Sequence, residues 1–145
     1  MPTYVCWTTV GSLDAEQRVR IAEAITTIHA EEGRAPRYFV QVVFNEIQAD
    51  SFFVGSLPAV KGHIWIRADI RSGRTDEQKR GILERIAADV SAITGVAREE
   101  VWVYISDIDA VGALEFGHVL PSPGQESVWF AKLPEELQKK LRALS

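Results

Sequence analysis

Apolar and polar positions alternate in two stretches of the chain, Thr3–Thr9 and Ile64–Ile70, and both stretches are rich in β-branched and aromatic residues. Period-two alternation of that composition predicts half-buried strands. After each stretch the period changes. Ile21, Ile25 and Ile28 follow the first, and Ile82, Ile86, Val90 and Ile93 follow the second, at spacings that line one face of a helix. Asp14-Ala-Glu-Gln17 and Thr75-Asp-Glu-Gln78 supply the starts. In each, an N-cap acceptor is followed three residues on by Gln, the pattern of a capping box. Gly33 and Gly95 stand where the helices should stop. Phe39–Phe44 and Val101–Ile105 then predict second strands.

The same sentence is therefore written twice. Shifting the chain by 61 residues lays Pro2–Ile47 on His63–Ile108 without a gap, with identities that include Glu16/Glu77, Gln17/Gln78, Ile21/Ile82, Ile25/Ile86, Arg37/Arg98 and Val42/Val103. A strand–helix–strand unit of this length implies a parallel strand pair with a right-handed crossover. Two of them predict an α+β fold: two tandem, pseudo-symmetric β-α-β units forming a four-stranded mixed sheet with two helices on one face. Trp7, Trp65 and Trp102 fall on the strands and are large to leave wet. The uncovered face therefore calls for subunit association. Outside the units, Asp50–Gly55 suggests a short strand, Leu57–Gly62 a loop, Ala110–Phe116 a short helix and Pro121–Gly124 a turn. Pro134–Leu144 reads as a short C-terminal amphipathic helix, with Pro at its start, Glu135 and Glu136 in its first turn and Lys139, Lys140 and Arg142 near its end.

Composition narrows the class. At 145 residues the chain fits one domain, 1–145, long enough to bury a core without disulfides or a metal. Cys6 is its only cysteine, so no internal disulfide forms. No apolar run is long enough to span a bilayer, and the start lacks a basic segment followed by an apolar one. These features predict a cytoplasmic protein. A net charge of −4 argues against nucleic-acid binding. No spacing reads as a metal site, a phosphate loop, a dinucleotide fingerprint or a nucleophile elbow.

Four features can carry chemistry. Trimming of Met1 would leave Pro2 as a secondary amine at the head of a strand, and an α-amino group titrates at roughly 7.7–8. Such a group serves as acid or base at neutral pH. Proline also follows the initiator in many chains without consequence. Arg71-Ser-Gly-Arg74 joins a strand end to the capping Thr75, so two guanidinium groups and a helix N-terminus converge on one point. All three favour an anion, and the arginine fork suits a carboxylate; a solvated turn would read the same. His29 lies on the apolar face of the first helix near its C-terminus, as a switchable group or as a satisfied core histidine. Tyr104 shares a strand face with Trp102, and Glu115 sits within the apolar stretch Val111–Val119. A phenol and a carboxylate can orient and deprotonate water, or be a core tyrosine and a surface glutamate.

Taken in order, these positions resemble the cis-3-chloroacrylic acid dehalogenase group of the tautomerase superfamily. The likeness runs over nearly the whole chain: Pro2, Ile25-Thr-Thr-Ile-His29, Ile70-Arg-Ser-Gly-Arg74, Val101-Trp-Val-Tyr104, Glu115-Phe-Gly117, Leu120-Pro121, Pro123-Gly124 and Trp129-Phe130. Within the group it is nearest to actinobacterial homologues. The resemblance implies a homotrimer, no cofactor and no metal, and a small carboxylate as substrate. It implies that Arg71 and Arg74 hold the carboxylate with help from His29, that Glu115 and Tyr104 activate water, and that Pro2 moves the proton. The expected activity is hydration or hydrolytic dehalogenation of cis-3-chloroacrylate-like acids. Enol–keto tautomerisation is the alternative, and a non-catalytic binding or signalling protein on the same fold is the rival from another class. Phe116, His118 and the Gly55–Gly62 loop depart from the dehalogenase pattern and bear on substrate fit.

Overall fold

The computed structural model describes residues 2–145; the expected loss of Met1 lies outside the described residues. In chain order the elements are strand β1 (Pro2–Thr9), helix α1 (Ala15–Glu32), strand β2 (Gln41–Ile47), a hairpin of β3 (Phe53–Val54) and β4 (Leu57–Pro58), strand β5 (Ile64–Arg71), helix α2 (Asp76–Thr94), strand β6 (Val101–Ile108), a hairpin of β7 (Leu114–Glu115) and β8 (His118–Val119), and helices α3 (Glu126–Ala131) and α4 (Glu135–Ala143). The four long strands form one sheet in the order β2-β1-β5-β6. The outer pairs, β1/β2 and β5/β6, are parallel, and the central pair β1/β5 is antiparallel. This is the mixed sheet of an α+β fold, with both long helices on one face.

Both helices begin as their sequences dictate. Asp14 accepts from the Gln17 amide at 2.7 Å while the Gln17 side chain accepts from the Asp14 amide at 3.0 Å, and Thr75 and Gln78 repeat the exchange. Each reciprocal pair satisfies donors that a bare helix end would leave orphaned. At the far end Gly95 adopts φ 74°, the left-handed cap that glycine takes without strain. The core lies between sheet and helices: Ile21, Ile25, Ile28, Ile82, Ile86 and Val90 pack on Ile64, Ile66, Ile70, Tyr4 and Cys6. Each isoleucine contributes about 1.5–3 kcal/mol through burial.

The other face of the sheet is open. Trp7 stacks on Trp65 with ring centroids 4.5 Å apart, and Tyr104 meets Trp65 edge-on at 5.7 Å. Trp102 and Tyr104 are 39% and 50% exposed.

Several local readings change. The second strand begins at Gln41 rather than Phe39, because the chain after Pro36 coils through a short 3-10 turn, Arg37–Phe39, which buries Phe39 in a separate cluster with Leu120. Ala110–Phe116 is not a helix: Ala110–Gly112 is a 3-10 turn and Leu114–Val119 a hairpin. Phe116 and Gly117 turn that hairpin at φ 52° and 79°, a mirror-image turn that no helix accommodates. Leu57–Pro58 is the second arm of the first hairpin, whose partner arm is Phe53–Val54 within the expected short strand. Helix α3 had no counterpart in the periodicity, being only six residues long and lacking a side-chain cap.

The repeat also differs in extent. The offset of 61 suits the helices and second strands and runs on through both hairpins, Phe53–Pro58 onto Leu114–Val119. In the first strands it fails by one residue. β1 buries Pro2, Tyr4, Cys6 and Thr8, and β5 buries Ile64, Ile66, Ala68 and Ile70, so the equivalent positions differ by 62. The connection from Arg71 to Thr75 is one residue shorter than that from Thr9 to Asp14. Because strand side chains alternate, an ungapped match would put Tyr4 opposite Trp65, on the wrong face.

Candidate active site

Antiparallel pairing sets Pro2 beside Ile70, so the head of β1 lies next to the end of β5 where Arg71 follows. Pro2 and Tyr4 share the helix-side face of β1, and both are buried. From above, α1 delivers His29 in its last turn. The Tyr4 hydroxyl lies 2.7 Å from His29 Nδ1. Burial, reinforced by the positive charges of Arg74 and Arg71, pushes the His29 imidazole down to about 3. The ring is therefore neutral at physiological pH. Burial also raises the Tyr4 phenol, opposed by Arg74, so Tyr4 keeps its proton. The hydroxyl must then donate to Nδ1, which leaves the proton of His29 on Nε2. Nε2 has no hydrogen-bond partner.

The end of β5 and the turn after it supply two guanidinium groups that are almost as deeply buried, Arg71 at 2% and Arg74 at 8% exposure. Arg71 donates through Nη1 to the Pro121 carbonyl at 2.6 Å and through Nη2 to Glu126. Arg74 reaches the Arg71 carbonyl only at 3.5 Å. The Nε groups of both arginines are unpartnered. Burial and then Arg71 push the Arg74 guanidinium down, while Glu126, Tyr4 and Asp107 support its charge. A buried donor without an acceptor costs about 1–3 kcal/mol. Three such donors, His29 Nε2 and the two arginine Nε groups, lie in one electrostatically linked cluster near the head of β1, and an anion with several lone pairs is the kind of ligand that could satisfy them.

The remaining candidates are placed differently. Glu115 ends β7 and lines a cleft with Tyr38, Phe39, Val40, Gln41 and Phe116. Gln41 pairs with Thr3, the residue after Pro2, so this cleft borders the head of β1. The turn beside Glu115 holds Phe116 at φ 52°, a conformation that is strained for a bulky residue. Tyr104 is not brought to the site within one chain. On β6 it pairs with Arg67 of β5, three register rows from the row of Pro2 and Ile70, and it projects from the open face of the sheet.

Two participants are not among the sequence candidates, the buried Tyr4 and the part-buried Glu126. Tyr4 interrupts an apolar core face that is Ile64, Ile66, Ala68 and Ile70 in the sister strand; that break in the pattern was its signal. Glu126 lies in a short polar stretch 55 residues from Arg71 and carries no local signal. No group of acidic, histidine or cysteine side chains among the described residues is arranged to hold a metal. No described helix is long and apolar enough to cross a membrane.

The model of the family described as "putative oxalocrotonate tautomerase enzyme" matches residues 1–132. Among solved structures, a member of the cis-3-chloroacrylic acid dehalogenase family is 42% identical over 97% of this chain and 99% of its own, with a TM-score of 0.95. A fused 4-OT solved as an asymmetric trimer (21% identity, 81% of this chain and 94% of its own, TM-score 0.73) shares the fold. So does a malonate semialdehyde decarboxylase inhibited by 3-bromopropiolate (19% identity, 91% and 99%, TM-score 0.70). No curated protein matches the sequence.

Proposed function

The chain belongs to the tautomerase superfamily, within its cis-3-chloroacrylic acid dehalogenase group, and from that premise we propose that it is a cofactor-independent enzyme acting through Pro2 on small unsaturated carboxylates. The observation that carries this reading is the pair of buried arginines with unpartnered Nε groups beside the head of β1. Buried cations without full pairing are costly unless a ligand completes them. Arg71 and Arg74 hold the substrate carboxylate, and the Nε2–H of His29 adds a neutral donor.

For a cis-3-chloroacrylate-like acid, Glu115 and Tyr104 direct a water to C3 while cationic Pro2 delivers a proton to C2. The product of that addition is a chlorohydrin, which loses HCl to give the semialdehyde. Tyr104 faces away from Pro2 in its own chain, so it serves only from a neighbouring subunit. That requirement, with the wet tryptophan face, supports a homotrimer. The same observation favours a second reading. Enol–keto tautomerisation, with neutral Pro2 as the base, needs only Pro2 and the arginines and proceeds without Tyr104.

The deciding experiment takes the purified protein through mass spectrometry and a substrate screen. Met1 should be absent, and a 3-halopropiolate should label Pro2. Turnover of cis-3-chloroacrylate or a propiolate supports hydration; turnover of phenylenolpyruvate alone supports tautomerisation. Glu115→Gln should abolish hydration and spare tautomerisation. Retained Met1 with no labelling and no turnover would reassign the chain as a binding protein on an enzyme fold.

A further inference from the structure

Glu126 is the first residue of α3, and its side chain is only 13% exposed against the 2% of its partner Arg71. Its position is unusual, because an acid pointing into a site built for an acid competes with the ligand. Two other groups register its charge. It supports the charge of Arg74 and raises the Tyr38 phenol, after burial, from a third element. The formal charges facing the pocket are therefore Arg71 and Arg74, positive, against Glu126, negative. Asp107, the other acid near Arg74, is itself met by Lys79 Nζ at 2.5 Å. His29 is neutral. Arg34 shares the outer rim of this cleft with Gly33, Arg74 and Glu126; it is exposed, so water and salt screen it. The buried side chains balance to one net positive charge, to which the Pro2 amine adds a second when it is protonated.

We propose that Glu126 is a specificity-determining residue that restricts this site to substrates with a single carboxylate. It occupies the Nη2 edge of Arg71 and cancels one of the two guanidinium charges. The unpartnered Nε groups of Arg71 and Arg74 are left for one carboxylate. A second carboxylate on the ligand would meet the Glu126 anion with only the exposed, solvent-screened Arg34 beside it. Like charges held apart from water are disfavoured strongly enough to reject a ligand by this means alone. Glu126 is a positioning and charge-setting group rather than a catalytic one, and its role rests on the reading of Arg71 and Arg74 as the carboxylate holders.

Two unreactive ligands of one shape separate the possibilities: cis-crotonate, with one carboxylate, and maleate, with a second carboxylate in place of the methyl group. Their binding to the full-length protein is measured by calorimetry or by competition. The wild-type protein should prefer cis-crotonate by a factor of about ten or more. Glu126→Gln keeps the shape and removes the charge; it should tighten maleate by roughly tenfold while moving cis-crotonate by less than about threefold. The double variant Arg71→Met/Glu126→Gln returns the balance to one positive charge and should restore the wild-type preference. A merely structural role would weaken both ligands together, and that result overturns the proposal. So does a wild-type preference for maleate, which needs no variant to fold. If neither ligand binds, or Arg74→Ala leaves binding unchanged, the carboxylate-holding reading fails and the proposal falls with it.

Discussion

Tyr4 and His29 in the first β-α-β unit stand where Ile66 and Val90 stand in the second, and all four side chains are fully buried. The same exchange recurs around the site. Arg74, just before the cap of α2, answers to Leu13 before the cap of α1; both are nearly buried. Glu115 in the second hairpin answers to Val54 in the first. Where the units agree, as at Ile21/Ile82 and Ile25/Ile86, the side chains make the shared core. At Tyr4/Ile66, His29/Val90 and Leu13/Arg74, where a buried apolar residue in one unit answers to a buried polar one in the other, the polar member lies at the candidate site; Thr8, which answers to Ile70, is the exception and sits at the other end of β1. A duplicated framework thus supplies its own control: the sister position shows what packing alone would have chosen.

The comparison can be broken at its common part first. Ile25→Ala and Ile86→Ala should each lower stability by about 2–5 kcal/mol and by similar amounts, because both leave the same cavity in the same kind of packing. Urea denaturation of the two variants side by side tests this; a large inequality would mean the units do not share one core. Next, Arg74→Leu copies the first unit into the second. It should lower kcat/KM by roughly a hundredfold or more, as loss of a buried charge-assisted contact does. Its melting temperature should hold or rise, since a buried cation short of partners is gone.

His29→Val copies the second unit into the first. The orphaned Tyr4 hydroxyl should cost about 1–3 kcal/mol. Tyr4→Phe added to it should recover part of the loss, because the unmet donor disappears. The same proteins sharpen the comparison by pH. His29 is held neutral in the folded chain, pushed from 6.5 to about 3, so the unfolded chain binds more protons between these values. Wild-type stability should therefore fall as pH drops from 6.5 toward 3, and that contribution should vanish in the double variant. Denaturation midpoints across this window measure it. The smallest expected effect is at the caps. Asp14→Ala and Thr75→Ala should cost about 1 kcal/mol each, equally in the two units.

Much of this architecture was readable beforehand because its signals are local and repeated. Capping boxes name the helix starts, and period-two stretches name the long strands. Strands of two residues have no period, so the hairpins at Phe53–Pro58 and Leu114–Val119 were missed, and Ala110–Phe116 passed for a helix. The short 3-10 turn that moved the start of β2 was equally silent. At the site, Pro2, His29, Arg71, Arg74 and Glu115 were nameable as residues out of place in their patterns. Their grouping came only through the family resemblance and not from local pattern, since it depends on β1 pairing with β5 rather than with another strand. Tyr104 shows the limit from the other side: its strand was foreseen, but its face points away from Pro2.

That central pairing has a consequence for how the protein is made. β1 emerges from the ribosome before the other three strands of its sheet yet lies inside the finished sheet, flanked by strands that end at residues 47 and 71. Once the first unit has emerged, β1 can close with α1 and β2, but its second side stays bare until β5 is synthesised. For that interval it is an edge strand of eight residues, with open main-chain groups and an apolar face carrying Tyr4 and Cys6. Such an edge is a template for another nascent copy as readily as for β5. Slow synthesis through the Phe53–Gly62 segment would lengthen the exposure. Yield in crowded expression should depend on how quickly the second half of the message is read.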